Sequence, residues 1–244
     1  MPGSGIGSSI LEMYPFDRPT NYGEMLNKIG ISTFLLALGL TWVVSHFSPA
    51  VSSLLRSEKT EVEILTVHIP LLYAVPAVLL GVIFRIVRVH NKLSDLFGIR
   101  SRFDLEQILI PLCAAVGVPV DKTFRERLQA NRELAMERTF YAYASFEEPK
   151  ISKALVLASI DRWTWYWVLL EFMALLLIAG VVLLSLRSFE GACFVFGGLF
   201  LSTPLFLTYT DSCGRLAKIQ IEEITSDASR SNAIRTELAD LKSL

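Results

Sequence analysis

Apolar residues are concentrated in four uninterrupted stretches of this chain, each 19 to 23 residues long. They are Ile29–Phe47, Ile64–Ile83, Thr164–Leu186 and Gly191–Tyr209. A helix needs about 20 apolar residues to cross a hydrocarbon core roughly 30 Å thick. Because a backbone in lipid must satisfy its own hydrogen bonds, these stretches are expected to be helices. The pattern predicts an all-α integral membrane protein with four transmembrane helices.

The polar segments between these stretches predict the organisation of the chain. Short connections after the first and third stretches favour two transmembrane hairpins, and the long connection between the hairpins is large enough for a helical module. The predicted parts are an N-terminal segment (1–28), hairpin 1 (29–83, with spans 29–47 and 64–83), the module (84–163), hairpin 2 (164–209, with spans 164–186 and 191–209) and a helical tail (210–244).

The module shows helical periodicity. An apolar stripe follows Asp104, and Pro111 within it is expected to kink or shorten the helix. Asp121 is a good N-cap for a second helix ending near Ser145. The stripe of the first helix is Leu105, Ile108, Leu109, Leu112 and Val116, and the apolar face of the second is Phe124, Leu128, Leu134, Ala135, Tyr141 and Ala142. The tail repeats the pattern with Leu216, Ile219, Ile224, Ile234, Leu238 and Leu241, which predicts packing on the module or on another subunit.

Positive charge indicates the orientation. The segment Phe84–Trp163 holds 13 Lys and Arg residues, whereas the loop Ser48–Glu63 holds two and the turn after the third stretch holds only Arg187. Short-range positive charge marks the cytoplasmic side of a membrane. We therefore expect a multi-pass protein of the plasma (inner) membrane, with the module and both termini in the cytoplasm.

Glu171 is the single charged residue inside the four stretches. An intramembrane carboxylate suggests a proton or ion path, or a buried polar partner. The alternative is that Glu171 lies near the interface, within reach of water, of Arg162 or of the tail. The second stretch contains His68, Pro70 and Pro76, and a proline-interrupted helix of this kind suits gating or the lining of a cavity. These four residues are the candidate intramembrane polar or gating site.

Three further sets of residues have expected roles at surfaces. Headgroup contact and orientation are expected of Arg85, Arg88, Lys92, Trp163, Trp165 and Trp167. Docking of a partner is expected of the mixed-charge helix Lys122–Ser145, through Arg125, Arg127, Arg132, Glu133 and Arg138. Close approach of helices, within or between subunits, is expected at Gly197 and Gly198.

The sequence contains no catalytic pattern that would predict an enzyme. The three histidines and three cysteines follow no metal-binding spacing, so neither a metal nor another cofactor is expected. A net charge of −1 gives no electrostatic support for a nucleic-acid partner.

Two functions from different classes fit these observations. The first is a scaffold or sensor, held in the bilayer as a homo-oligomer, that anchors or signals to a cytoplasmic protein through its module. The second is a gated pore or membrane-permeabilising effector, an architecture similar to that of membrane components of bacterial phage-defence systems. The scaffold is preferred because the third and fourth stretches lack a polar face.

Overall fold

A computed structural model describes residues 17–55, 61–64 and 67–243, with side chains for 17–55 and 71–242. The protein is almost entirely helical over these residues. In chain order the elements are α1 (Tyr22–Phe47), α2 (Pro49–Leu55), β1 (Glu61–Ile64), β2 (Val67–Pro70), α3 (Leu71–Val87), α4 (Val89–Phe97), α5 (Ile99–Phe103), α6 (Ile110–Ala115), α7 (Lys122–Ala130), α8 (Arg132–Met136), α9 (Ala142–Ala144), α10 (Lys153–Ser185), α11 (Phe189–Thr225) and α12 (Ala228–Ser243). The π-helical stretches Asp104–Leu109 and Glu137–Tyr141 connect α5 to α6 and α8 to α9.

Three helices, α1, α10 and α11, are long and apolar enough to cross a membrane. The number becomes four if the bent pair α3 and α4 counts as one broken span, since their axes differ by 56°. α10 contains 33 residues without a break, so it begins before the third predicted span and continues through most of it. The membrane-protein class predicted from the sequence is supported by these helices.

The second predicted span is wrong at its start. Residues Glu61–Ile64 and Val67–Pro70 pair as antiparallel strands, with Glu61 opposite Pro70, and the helix begins only at Leu71. Alternating β-branched residues favour an extended backbone, and a proline at the end of the second strand lacks the N–H that a continuing strand or helix would use. α3 is therefore 17 residues long. It ends before Arg88, whose φ of 52° is incompatible with a continuing right-handed helix.

The turn between α10 and α11 is short and locally specified. Arg187 has a φ of 60°, and the Ser188 N–H donates to the Leu183 carbonyl at 2.9 Å, as in a helix C-terminal motif. Buried residues of the two helices then meet in one core cluster, which contains Leu176, Ala179, Leu183, Ala192 and Val195. A second cluster joins α1, α3 and α10 through Ala37, Ala77, Phe84 and Leu175.

The chain divides into two compact units. Gly23–His90 and Thr164–Leu207 form most of one unit, called here the apolar unit. Asn91–Trp163 and Thr208–Leu244 form most of the other, called here the module–tail unit.

The first module stripe is confirmed, because all five of its apolar residues are buried in the module–tail unit. The helix runs through Pro111, and the π-helical stretch lies directly before it. The Ile110 N–H donates to the Leu105 carbonyl, one residue beyond the α-helical spacing. The wider π turn leaves room for a proline that has no N–H to donate.

The second module helix begins at the predicted cap, but its buried face differs from the predicted one. Asp121 accepts a hydrogen bond from the Phe124 N–H at 2.8 Å, as predicted. The helix then breaks at Asn131, and a π-helical stretch follows. Both features rotate the helical face, so Tyr141 is 41% exposed, contrary to the predicted apolar face. The residues buried after the break are Ala135, Met136, Thr139, Phe140 and Ala144.

The tail packs on the module. α12 buries Ile234, Leu238 and Leu241 against α7, α8 and the second π-helical stretch, which confirms this predicted stripe. In the preceding stripe Ile224 is buried as predicted, Leu216 is partly buried and Ile219 is exposed. The residues of α11 that are buried in this unit are Cys213, Ala217, Gln220, Ile221 and Ile224.

Candidate intramembrane polar site

Glu171 is buried in the apolar unit, where it is only 2% exposed. Both of its carboxyl oxygens have partners from other helices. The Thr33 hydroxyl of α1 donates to Oε2, and Nδ1 of His90 in α4 lies 3.2 Å from Oε1. Three elements distant in sequence thus meet at one carboxylate.

The positions of these residues follow from the local fold. One turn after Thr33 and one turn after Glu171, the apolar residues Ala37 and Leu175 enter the same core cluster. His90 is the second residue of α4, directly after the helix break at Arg88. From this position in the first turn of α4, the His90 imidazole reaches Glu171 of α10. Packing of α1, α3 and α10 therefore brings the polar groups together.

His90 is buried, and its ring faces that of Trp167 with 5.9 Å between ring centroids. Its Nε2 has no hydrogen-bond partner among the described residues. A buried polar atom without a partner is costly and calls for an explanation. When Glu171 is ionised, Nδ1 must carry the proton that it donates to the carboxylate, and Nε2 of the neutral ring is then the nitrogen without a proton.

The contacts of Glu171 among the described residues are not the alternative ones expected from the sequence. Arg162 stacks on Tyr209 at 5.0 Å, whereas the contacts of Glu171 are Thr33 and His90. Sequence reasoning missed His90 as a partner of Glu171 because the two residues are 81 positions apart in the chain. The usable signal is depth, since Glu171 is the eighth residue of the third stretch and His90 follows the second stretch by seven residues, both toward the expected cytoplasmic side.

The other members of the predicted gating set are placed elsewhere in the chain. His68 and Pro70 lie in β2, where His68 is opposite Glu63, and their side chains lie outside those described. Pro76 lies within α3. No group of three or more His, Cys, Asp or Glu in the described part of the chain could hold a metal ion.

The tryptophans expected at the headgroup level pack against protein groups. Trp163 meets Phe103 edge-on at 4.5 Å, and the Lys28 ammonium lies 4.6 Å from the Trp165 ring. Trp167 is buried. These rings therefore have structural contacts whether or not they also touch lipid.

The basic residues expected at the membrane surface are exposed. Arg85 donates to the Asn27 side chain at 3.1 Å, Arg88 occupies the break between α3 and α4, and Lys92 lies on α4. Their exposure is compatible with the expected headgroup contact.

All four arginines expected to dock a partner are engaged within the module–tail unit. Arg132 pairs with the buried Asp104, and burial raises the pKa of that carboxyl against the opposing effects of Arg132 and Arg100. The remaining pairs are Arg125 with Glu106, Arg127 with the Lys242 carbonyl, and Arg138 with Glu237. Glu133, 89% exposed, is the member of the set that projects farthest into solvent.

Close helix approach occurs at glycines other than the predicted pair. A Cβ at Gly180 would lie 2.6 Å from the Phe196 ring, and one at Gly191 would lie 2.5 Å from the Phe47 Cβ. A Cβ at Gly197 would meet nothing within 4 Å, and one at Gly198 would touch only Leu176. Gly197 and Gly198 instead line an apolar cavity of 730 Å³ between α1, α10 and α11.

The helices and the buried polar cluster define a helical membrane-associated protein with an ionisable group enclosed in its apolar part. The chain belongs to the YmfE protein family, whose model matches residues 21–236 and so spans both units. No curated protein and no solved structure matches the chain.

Proposed function

We propose that the protein is a membrane-embedded scaffold or sensor, assembled as a homo-oligomer, whose module–tail unit binds a cytoplasmic protein. The observation that carries this proposal is the division of the chain into two compact units of different character. One unit contains the long apolar helices, and the other has a core of its own and a surface rich in charge. Such a chain is suited to holding a helical domain beside a membrane.

The proposed topology has four spans in two hairpins, in the plasma (inner) membrane. α3 alone extends about 26 Å at 1.5 Å per residue, slightly less than a hydrocarbon core of about 30 Å. The bent pair α3 and α4 supports a broken span in this place. With 13 basic residues between the hairpins, the module and both termini belong in the cytoplasm.

The proposed docking surface is the solvent side of α7 and α8, centred on Glu133. Arg125 and Arg138 are about half exposed there, so they can contact a partner while keeping their internal pairs. Arg127 and Arg132 are less exposed, and their role in this surface is to hold its helices through their internal contacts. A partner with complementary charges of both signs fits this surface, and its association should weaken with salt.

Site-specific photo-cross-linking in living cells tests the docking surface. A cross-linker at position 133 of the full chain should give a discrete product, identified by mass spectrometry, whereas the same group at Leu205 of α11 should not give that product. Glu133→Lys should reduce cross-linking from position 126, and Glu148→Lys, an exposed change outside the surface, should not. Equal products from positions 133 and 205, or no effect of Glu133→Lys, would contradict this surface.

Cysteine labelling from outside the cell tests the orientation. A cysteine at position 133, in a chain whose exposed Cys193 is replaced by serine, should react with an impermeant maleimide only after the membrane is opened. Cys113 is a suitable silent background, because burial raises the pKa of its thiol to about 11. Labelling of position 133 in intact cells would reverse the proposed topology.

The ionisable pair Glu171 and His90 favours a second function, a gated pore or membrane-permeabilising effector. Planar-bilayer conductance of the wild type beside Glu171→Gln discriminates between the two functions. A current that changes with Glu171→Gln supports the pore, whereas silence together with module cross-linking supports the scaffold.

A further inference from the structure

The cluster of Glu171, His90 and Thr33 has three charge states that differ by one proton each. With Glu171 ionised and His90 neutral the net charge is −1, one added proton makes the pair neutral, and a second makes it positive. A net charge buried in an apolar medium is costly, so enclosure favours the neutral state. The extra proton belongs to the pair rather than to either residue alone.

The geometry distinguishes the atoms that are held from the atom that can exchange. Oε2 of Glu171 is occupied by the Thr33 hydroxyl, and Oε1 is occupied by Nδ1 of His90. Nε2 of His90 is buried without a hydrogen-bond partner among the residues described. A proton added at Nε2 therefore leaves both bonds to the carboxylate in place and converts a hydrogen bond into an ion pair.

We propose that Glu171 and His90 form a proton-binding site in the apolar unit, with Nε2 of His90 as the exchanging atom and Thr33 as a positioning residue. The bond formed is Nε2–H, the proton comes from the aqueous solvent, and no other bond changes. Lowering the pH loads the site, and raising it leaves the Glu171 carboxylate hydrogen-bonded to a neutral imidazole.

Other charged groups near the site have contacts of their own. On α1, Lys28 donates to the Asp17 carbonyl at 2.9 Å and lies over the Trp165 ring. At the end of α3, Arg85 donates to Asn27. On α10, Trp167 is the aromatic neighbour of His90. Of these contacts, only that of Trp167 is made with the Glu171–His90 pair.

Infrared difference spectroscopy of the full chain in lipid nanodiscs, between about pH 5 and about pH 8, tests the proposal, since histidine charge changes fall in this range. The wild type should show an imidazole band that titrates together with a buried carboxyl environment. Glu171→Gln should lose the carboxyl signal, and His90→Gln should lose the imidazole signal. Glu133→Gln, on the solvent-exposed surface, should keep both. Wild-type and Glu171→Gln spectra without a difference would overturn the proposal.

Thr33→Val keeps the test decisive if either substitution of the pair prevents folding. It leaves both groups of the pair and removes one donor to the carboxylate, so the carboxylate band should shift in frequency while the pH-dependent imidazole band remains. A purely structural cluster would show no pH-dependent imidazole band. This titration needs no partner protein, so failure of the docking surface in cross-linking would leave it unaffected, and the reverse also holds.

Discussion

At the scale of single residues, two buried carboxylates are stabilised in different ways. Glu171 in the apolar unit is held by Thr33 and a histidine. Asp104 in the module–tail unit is held by Arg132, with Arg100 one helical turn away. A guanidinium keeps its charge at all relevant pH values, whereas an imidazole does not. The two carboxylates should therefore respond differently to pH.

Asp104 gives a prediction with a definite sign. Burial raises the pKa of this carboxyl above its ordinary value of 3.8. The Asp104 carboxyl therefore ionises at a lower pH in the unfolded chain than in the folded protein. Its contribution to the free energy of unfolding is complete below pH 3.8 and is lost as the pH rises through the raised folded-state pKa. The difference in melting temperature, Asp104→Asn minus wild type, should increase over this range, as followed by circular dichroism. Glu148→Gln, at an exposed site without a contact to Asp104 or Arg132, should show no such trend.

At the scale of secondary-structure elements, the start of α7 depends on its cap. The Phe124 N–H bond holds the pKa of the Asp121 carboxyl below 3.8. The stabilisation of α7 by the ionised Asp121 cap is thus present above pH 3.8. It is lost as the pH falls through the lowered folded-state pKa of this carboxyl. Asp121→Ala should lower the melting temperature near neutral pH and converge on the wild type in acid. Asp121→Asn, which still caps, should remain close to the wild type near neutral pH; an equal loss in both variants would contradict a capping role.

Glycines in α11 provide a matched pair for a packing prediction. Gly191→Ala forces a methyl group against the Phe47 Cβ, which cannot move without its backbone, and should destabilise by about 1–3 kcal/mol. Gly197→Ala adds a methyl group in open space within a helix and should be neutral or stabilising by up to about 1 kcal/mol. Thermal unfolding in nanodiscs measures both. Loss of an oligomer in Gly197→Ala alone would instead support the predicted close approach between subunits.

At the scale of the whole molecule, the two units should lose structure separately. Leu238 of α12 is fully buried in the module–tail unit, and Leu238→Ala should cost about 2–5 kcal/mol. Limited proteolysis of the full chain, mapped by mass spectrometry, should reveal new cleavages in Asn91–Trp163 and the tail while the apolar helices stay intact. Asn232→Ala, on the exposed side of α12, serves as the control. Equal cleavage of both variants would argue against the tail as part of this core.

Much of the fold was predictable because its causes are local. Long apolar stretches indicated α1, α10 and α11, a 3.6-residue period indicated the stripe Leu105–Val116, and Asp121 marked a helix start through its own side chain. The errors occurred where the period changed within an element. The Asn131 break and the π-helical stretches shift the buried face of the module, and no composition signal announces them.

The sequence by itself established the helical membrane class and three of its long apolar helices, because hydropathy and helical periodicity depend on neighbouring residues; the burial of the Glu171 carboxylate came from the structure. The identity of the partners of that carboxylate came from the tertiary structure. Thr33, His90 and Glu171 are separated by 57 and 81 residues, and their meeting depends on how α1, α3 and α10 pack. The engagement of the module arginines by Asp104, Glu106 and Glu237 has the same origin, since ion pairs between elements form only after the elements have been brought together.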